Sequence, residues 1–202
     1  MKIVFATRNE GKVKEIKDML EGTGIELVSL NEYDDIPEII EDGNSFLENA
    51  LKKAKIAAES TGEAVLADDS GLRVDILEGE PGINSACYAG DSATDEENNK
   101  KLLAELRGIP QEKRQASFCC VLVLYKRDGS YEYFEGRWNG VIIDEARGAN
   151  GFGYDPIFFV PELRKTAAEL PPEMKNKISH RGRAFAELKK RLPHLLENRP
   201  GA

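Results

Sequence analysis

At 202 residues the chain is long enough to bury a sizeable core, as one large domain or two small lobes, and its net charge of −8 argues against broad, sequence-independent binding to DNA or RNA. Its composition, 41% hydrophobic and 32% charged, is that of a soluble globular protein. Cys87, Cys119 and Cys120 make neither a disulfide framework nor a zinc-ligand spacing, and with no apolar run of membrane length and no charged-then-apolar leader a cytoplasmic location without membrane partners is expected.

Lys2 to Ala6 is a short apolar run of strand type. The loop Thr7-Arg8-Asn9-Glu10-Gly11-Lys12 follows, and a helix begins at once behind it, with Val13, Ile16, Met19 and Leu20 on one stripe. Backbone N–H groups at such a helix start suit an anion, and Lys12 could add positive charge. The loop is not a Walker motif, because the second glycine and the Lys-Ser/Thr pair are missing, and Lys12 equally suits a solvated helix position. Glu26 to Leu30 reads as a second strand. Residues 31 to 43, rich in acid and carrying Pro37, read as a loop with Glu41 and Asp42 near its end. Ser45 and Glu48 form a capping-box pair, which predicts a helix running to about Ser60. Its Phe46, Ala50, Ala54 and Ala57 make an apolar stripe, with Asn49 and Lys53 on adjoining faces.

The chemistry gathers on Val65 to Val74, VLADDSGLRV. Val65, Leu66 and Ala67 read as the last residues of a buried strand, Ser70 and Gly71 as a turn, and Leu72 resumes the apolar pattern. Two adjacent carboxylates at the end of a buried strand are costly unless something cationic compensates them. Ligands of open α/β sheets gather beyond the carboxyl ends of the strands. Neighbouring side chains of a strand point opposite ways, so one aspartate could bind a metal while the other turns back into the fold. An acidic turn, with Asp and Ser bonding local backbone N–H groups, accounts for the same residues.

Glu78 to Gly90 is a glycine-rich loop with Pro81, either a mobile lid or a simple connection. Thr94 and Glu97 form a second capping box for a helix from Asp95 to Arg107 that carries Leu102, Leu103 and Leu106 inward. Gln115 to Tyr125 is the longest β-rich run and is expected at the centre of the sheet. Asp128-Gly129 is a hairpin signal, with Tyr131 to Arg137 returning antiparallel and Gly140 to Ile143 as a further short strand, so the sheet is mixed. Gly148 to Asp155, GANGFGYD, sets Phe152 and Tyr154 among glycines. Glycine lets backbone approach a ligand closely, and an aromatic ring there could stack on a flat base. A strand entry with core aromatics fits that pattern as well, and Pro156 to Val160 continues as a strand. Glu173 to Ile178 reads as a short polar helix with Lys175 and Lys177. Ser179-His180-Arg181 would cap the last helix, Gly182 to about Leu196, ahead of a frayed tail. No repeat or long linker divides the chain, so residues 1–202 are expected to form a single domain.

Seven stretches together resemble the inosine triphosphate pyrophosphatase family: TRNEGK (Thr7–Lys12), SFLENALKKA (Ser45–Ala54), ADDSGL (Ala67–Leu72), PGINSACYAG (Pro81–Gly90), GRWNGVI (Gly136–Ile142), GFGYDPIF (Gly151–Phe158) and KNKISHRGRA (Lys175–Ala184). The resemblance covers nearly the whole chain in order. It implies an α/β fold in which a long mixed central sheet, with helices on both sides, divides two lobes that form a nucleotide cleft. It also implies a homodimer and a magnesium-dependent cleavage of ITP, dITP and XTP to the nucleoside monophosphate and pyrophosphate. By position, Thr7, Arg8, Asn9, Glu10, Gly11 and Lys12 would hold the triphosphate and Lys53 would add a phosphate contact. Glu41 and Asp69 would bind Mg2+, and Asp69 would activate the attacking water with Ser70 beside it. Phe152, Gly153, Tyr154 and Asp155 would hold base and sugar, and Lys175, His180 and Arg181 would contact the base and nearby phosphate. Members of bacteria and archaea usually carry Arg where this chain has Cys87, which removes a cation from the loop.

The residues suit that chemistry. Magnesium with a triphosphate takes oxygen ligands, and attack at phosphorus needs a positioned water and neutralisation of charge, which Lys12, Lys53 and Lys175 could supply. Donors on His180 and Arg181 would pair with the 6-keto oxygen of hypoxanthine or xanthine and not with the amino group of adenine. A Maf-like nucleotide pyrophosphatase is the nearest competing reading, and a nucleotide sensor without turnover is the alternative from another class.

Overall fold

The computed structural model describes residues 2–197, with side chains to Leu192; the expected frayed tail lies beyond the described residues from 198 on. The elements run β1 (Lys2–Phe5), α1 (Glu10–Leu20), β2 (Glu26–Ser29), α2 (Phe46–Thr61), β3 (Val65–Val74), α3 (Asp95–Glu105), β4 (Gln115–Tyr125), β5 (Tyr131–Ile142), β6 (Phe158–Val160), β7 (Lys165–Thr166), α4 (Pro172–Ile178) and α5 (His180–Glu197), with short 3-10 turns between them. The sheet has seven strands in the order β2-β1-β3-β4-β5-β6-β7, with β4 at its centre as the length of its apolar run predicts. It is mixed: β1 pairs parallel with β2 and β3, whereas β6 pairs antiparallel with β5 and β7.

The chain divides into two compact units. The first comprises 1–69, 120–136 and 181–202. Its strands alternate strictly. Ile3, Phe5, Leu66, Cys120, Leu122 and Leu124 pack with Ile16 and Leu20 of α1 and with Phe185, Leu188 and Leu192 of α5. Val4, Val65, Ala67, Val121 and Val123 pack with Ala50, Ala54 and Ala57 of α2. The period-2 pattern of the strands thus assigns α1 and α5 to one face of the sheet and α2 to the other. The alanine stripe lets α2 lie close against its strands.

The second unit comprises 70–119 and 137–180. Its core joins Leu72 and Val74 of β3, Leu102 and Leu106 of α3, Phe118, Trp138 and Phe158. The capping box of α3 is complete, with Glu97 N–H donating to Thr94 Oγ1 and Thr94 N–H donating to the Glu97 carboxylate.

Three expectations need correction, those for Ser70-Gly71, for the box at Ser45 and for the strands between Tyr131 and Ile143. No turn forms at Ser70-Gly71, and β3 runs unbroken from Val65 to Val74. Asp, Ser and Gly are poor strand residues, but pairing with the neighbouring strands overrides that preference. The capping box at Ser45 is only half made: Ser45 Oγ accepts from Glu48 N–H, while the Glu48 carboxylate accepts from Asn44 N–H instead of Ser45. The loop from Glu78 folds back on the end of β3, with Val74 N–H donating to Glu80 O at 3.0 Å, and a 3-10 turn spans Gly82–Cys87. Finally, the two short strands expected between Tyr131 and Ile143 are one, β5.

Gly140 does not break β5 because it is there for space. A Cβ at this position would lie 2.6 Å from both the Phe158 ring and the Phe159 carbonyl oxygen of the paired strand β6. Backbone cannot yield as a flexible side chain can, so overpacking of this kind costs about 1–3 kcal/mol. Gly140→Ala should therefore lower the melting temperature, by about 2–4 °C per kcal/mol for a chain of this size. A thermal scan showing no change would mean that β6 moves aside freely.

Candidate active site

The unbroken course of β3 sends its two aspartates to opposite faces of the sheet. Asp69 shares the Val65 and Ala67 face and meets α2. Lys53 and Asn49, one helical turn apart on α2, both reach it: Lys53 Nζ lies 3.5 Å from Asp69 Oδ1, and Asn49 Nδ2 donates to Asp69 Oδ2 at 3.2 Å. Lys53 also donates to Glu41 Oε2 at 2.6 Å, so the acidic loop, α2 and β3 converge on one ammonium group. Asn49 fastens the loop a second time, because its Oδ1 accepts from Gly43 N–H at 2.8 Å.

Burial, reinforced by the negative charge of Glu41, pushes the Asp69 carboxyl up to about 6 against the pull of Lys53. Burial alone would discharge Lys53, but Asp69, Asp68 and Glu41 together hold its pKa above the ordinary lysine value. Glu41 and Asp69, brought together on Lys53, offer carboxylate oxygens of the kind Mg2+ takes when it is shared with substrate phosphates. The residues therefore fit the ion that the resemblance implies.

Asp68 shares the Leu66 face and meets α1 and α5 instead. Its carboxylate is fully enclosed; Lys12 Nζ lies 2.9 Å from Oδ2 and Arg181 Nε 3.7 Å from the same oxygen. Burial would raise the pKa of Asp68, but Lys12, Arg181 and Lys53 outweigh it and hold the carboxyl well below the usual carboxylate range. Arg181 also pairs with Glu15 of α1. Lys12 sits in the first turn of α1, whose start Asn9 caps by accepting Lys12 N–H at 3.0 Å. Thr7 Oγ1 in turn accepts from Asn9 N–H, while Arg8 and Glu10 are exposed and Gly11 half-buried.

In the second unit the GFGYD segment is braced from within. Asp155 Oδ2 accepts from Phe152 N–H at 3.0 Å and from Lys175 Nζ at 2.6 Å, both charged partners being buried. Lys175 Nζ stands 4.9 Å from the centroid of the Phe152 ring, a cation–π distance. Gly151 has φ +78°, and a Cβ on it would strike the Asp155 carboxylate. Tyr154 is core: its ring is buried and its hydroxyl donates to Ser85 O at 2.9 Å. Of the two aromatics expected to meet a base, Tyr154 is thus in the core and Phe152 is half-buried. His180 is 5% exposed and stacks on Phe118 with ring centroids 4.8 Å apart, and Ser70 is half-buried on β3.

His180 and Arg181 are thus buried in the first turn of α5, not caps ahead of it. The sequence reading also missed two contributors. Asn49 was legible from its four-residue spacing to Lys53, and Glu15 from its three-residue spacing to Lys12. Arg181 is the counter-charge to two carboxylates, and breaking one side of a buried ion pair costs about 3–5 kcal/mol. Arg181→Ala should therefore depress the denaturant midpoint markedly, whereas Lys12→Ala, whose side chain is partly exposed, should do so less. Equal, small shifts in both variants would mean that Asp68 needs neither cation.

Residues 3–191 match the Ham1 family. A dITP/XTP pyrophosphatase of Geobacter sulfurreducens is 54% identical over 191 residues, spanning 95% of this chain and 96% of its own. A dITP/XTP pyrophosphatase of Desulforamulus reducens is 52% identical over 185 residues, 92% of each chain. Among solved structures, a HAM1 protein from Coxiella burnetii superposes with a TM-score of 0.87 at 43% identity, covering 96% of this chain and 99% of that one. A chain that matches family and relatives over nearly its whole length, with the same mixed sheet, belongs to the Ham1 family.

Proposed function

We propose that this chain, as a single catalytic domain, hydrolyses the non-standard purine nucleoside triphosphates dITP, XTP and ITP to the monophosphate and pyrophosphate. Family membership and the activity for which its relatives are named support the reaction class. The observation that carries the assignment is the splitting of the two aspartates: Asp68 is neutralised by Lys12 and Arg181 on one face, while Asp69 meets Lys53 and, through it, Glu41 on the other. A cytoplasmic homodimer with no nucleic-acid or membrane partner completes the reading; no helix among the described residues is long and apolar enough to cross a membrane.

In this reading Glu41 and Asp69 hold Mg2+, which when bound supplies charge neutralisation across the phosphate oxygens. Lys53, kept charged by its carboxylate neighbours, and Lys12 with the Thr7–Gly11 loop take phosphate oxygens. Asp69 accepts the proton of the attacking water, the role of a carboxylate positioned beside the reacting phosphorus. The water oxygen bonds to a phosphorus flanking the α–β bridge, the bridging P–O bond breaks, and pyrophosphate leaves as one unit. Phe152 stacks on the base, Gly153 and Asp155 shape its surroundings, and Lys175 supports the ring. His180 and Arg181 choose the 6-keto base; for Arg181, its pairing with Glu15 and Asp68 favours charge balance as a second reading.

Asp69→Asn should fold normally yet lose on the order of 10²-fold or more in turnover, as loss of a metal ligand or base commonly does. Phosphorus NMR of wild-type products should show monophosphate and pyrophosphate; diphosphate with free phosphate would identify a γ-phosphatase instead. Across XTP, dITP, GTP and ATP, His180→Ala should shrink the kcat/KM ratio to ATP. If Arg181→Ala lowers every nucleotide alike, Arg181 acts in charge balance and not in base choice.

A further inference from the structure

Gly153 is held by α3 through both of its peptide groups. Its N–H donates to Asp95 Oδ2 at 2.6 Å, and its carbonyl oxygen accepts from Asn99 Nδ2 at 3.0 Å. Asp95 and Asn99 are one helical turn apart on α3 and so share a face. The amide of Gly153 belongs to the peptide plane that leaves Phe152, so Asp95 fixes the backbone just after that ring. Asp155 fixes the backbone just before it by accepting Phe152 N–H at 3.0 Å. The ring is therefore pinned on both sides, although its neighbours Gly151 and Gly153 adopt left-handed conformations (φ +78° and +62°) that leave an untethered loop unusually free.

Resting on the reading that Phe152 is the base platform, we infer that Asp95 and Asn99 are positioning residues that set its pose for the purine. Neither is in the triphosphate machinery. They act by removing the conformational freedom of the Gly-Phe-Gly segment before the base arrives, which lowers the ordering cost of binding. The two tethers have opposite polarity. Gly153 N–H needs an acceptor, which Asp and Asn both provide at position 95. Gly153 C=O needs a donor, which Asn provides at position 99 and Asp does not. Two swaps of equal size therefore have unequal consequences.

The test is steady-state kinetics with XTP and dITP on Asp95→Asn, Asn99→Asp, Phe152→Ala and the double variant Asn99→Asp with Phe152→Ala. Asp95→Asn should stay near wild type. Asn99→Asp should raise KM by about tenfold, the scale of one lost hydrogen bond plus a repelled carbonyl, with kcat changed less than about twofold. In the Phe152→Ala background Asn99→Asp should add little, because the platform it positions is gone. If Asn99→Asp does not fold, Asp95→Ala takes its place in the cycle. Should Phe152→Ala leave KM unchanged, the base-platform reading falls and this inference with it. Should Phe152→Ala raise KM while Asn99→Asp does not, or should the two effects multiply in full, the inference alone falls. A general structural role would instead lower kcat and melting temperature together and show no coupling to Phe152.

Discussion

Two carboxylates side by side in the middle of an unbroken, buried strand are the constraint from which the rest of the first unit follows. A strand cannot put adjacent side chains on the same face, so the charges at Asp68 and Asp69 must be met from opposite sides. An isolated buried carboxylate would cost several kcal/mol, and each face therefore needs its own cation. On one face the first turns of α1 and α5 deliver Lys12 and Arg181 to Asp68. On the other, α2 delivers Lys53 and Asn49 to Asp69. The alanine stripe of α2 brings the helix close enough for its polar edge to reach the strand. Core packing and electrostatics here are one arrangement: the positions that bury apolar surface also aim the charges.

The two aspartates have pKa values shifted in opposite directions. Asp68 has two cations near one oxygen and stays ionised at any ordinary pH. Asp69 shares Lys53 with Glu41, and its pKa rises to about 6. An unequal supply of cations to identical side chains is a general route to separating a structural charge from a reactive one. Lys53 is shared between Glu41 and Asp69, and both carboxylates hold it in its charged form.

Much of this was legible in the sequence, because helices and strands with strong periodicity and caps announce themselves. The alternation through β1, β3 and β4, the stripe of α2 and the box at Thr94 all follow from local pattern. The reading of Ser70-Gly71 as a turn failed because strand pairing is a long-range property that outweighs local preference. Gly140 was misjudged for a related reason: its lack of a side chain answers to the ring of Phe158, eighteen positions away in sequence, and not to a break in its own strand. β7, two residues long, carries no periodic signal at all. The pairing of Arg181 with Glu15 and Asp68 was invisible as well, since these partners lie far from it in sequence.

The GFGYD segment shows how one short stretch can serve opposite ends. Its two aromatics are two residues apart, and their fates diverge because their surroundings do. Tyr154 turns into the core and donates to the carbonyl of Ser85. Ser85 Oγ itself accepts from Leu72 N–H at 2.9 Å and donates to Gly82 O at 2.6 Å, so the segment is tied through one serine to both β3 and the glycine-rich loop. Asp155, buried against Lys175, closes the turn onto Phe152 N–H. With Tyr154 and Asp155 absorbed in structure, Phe152 is the aromatic left half-buried, its ring under the ammonium of Lys175. The neighbours of Phe152 in this segment are each committed elsewhere in the structure. Glycine at 151 is part of that commitment, since any Cβ there would occupy the place of the Asp155 carboxylate that holds the turn shut.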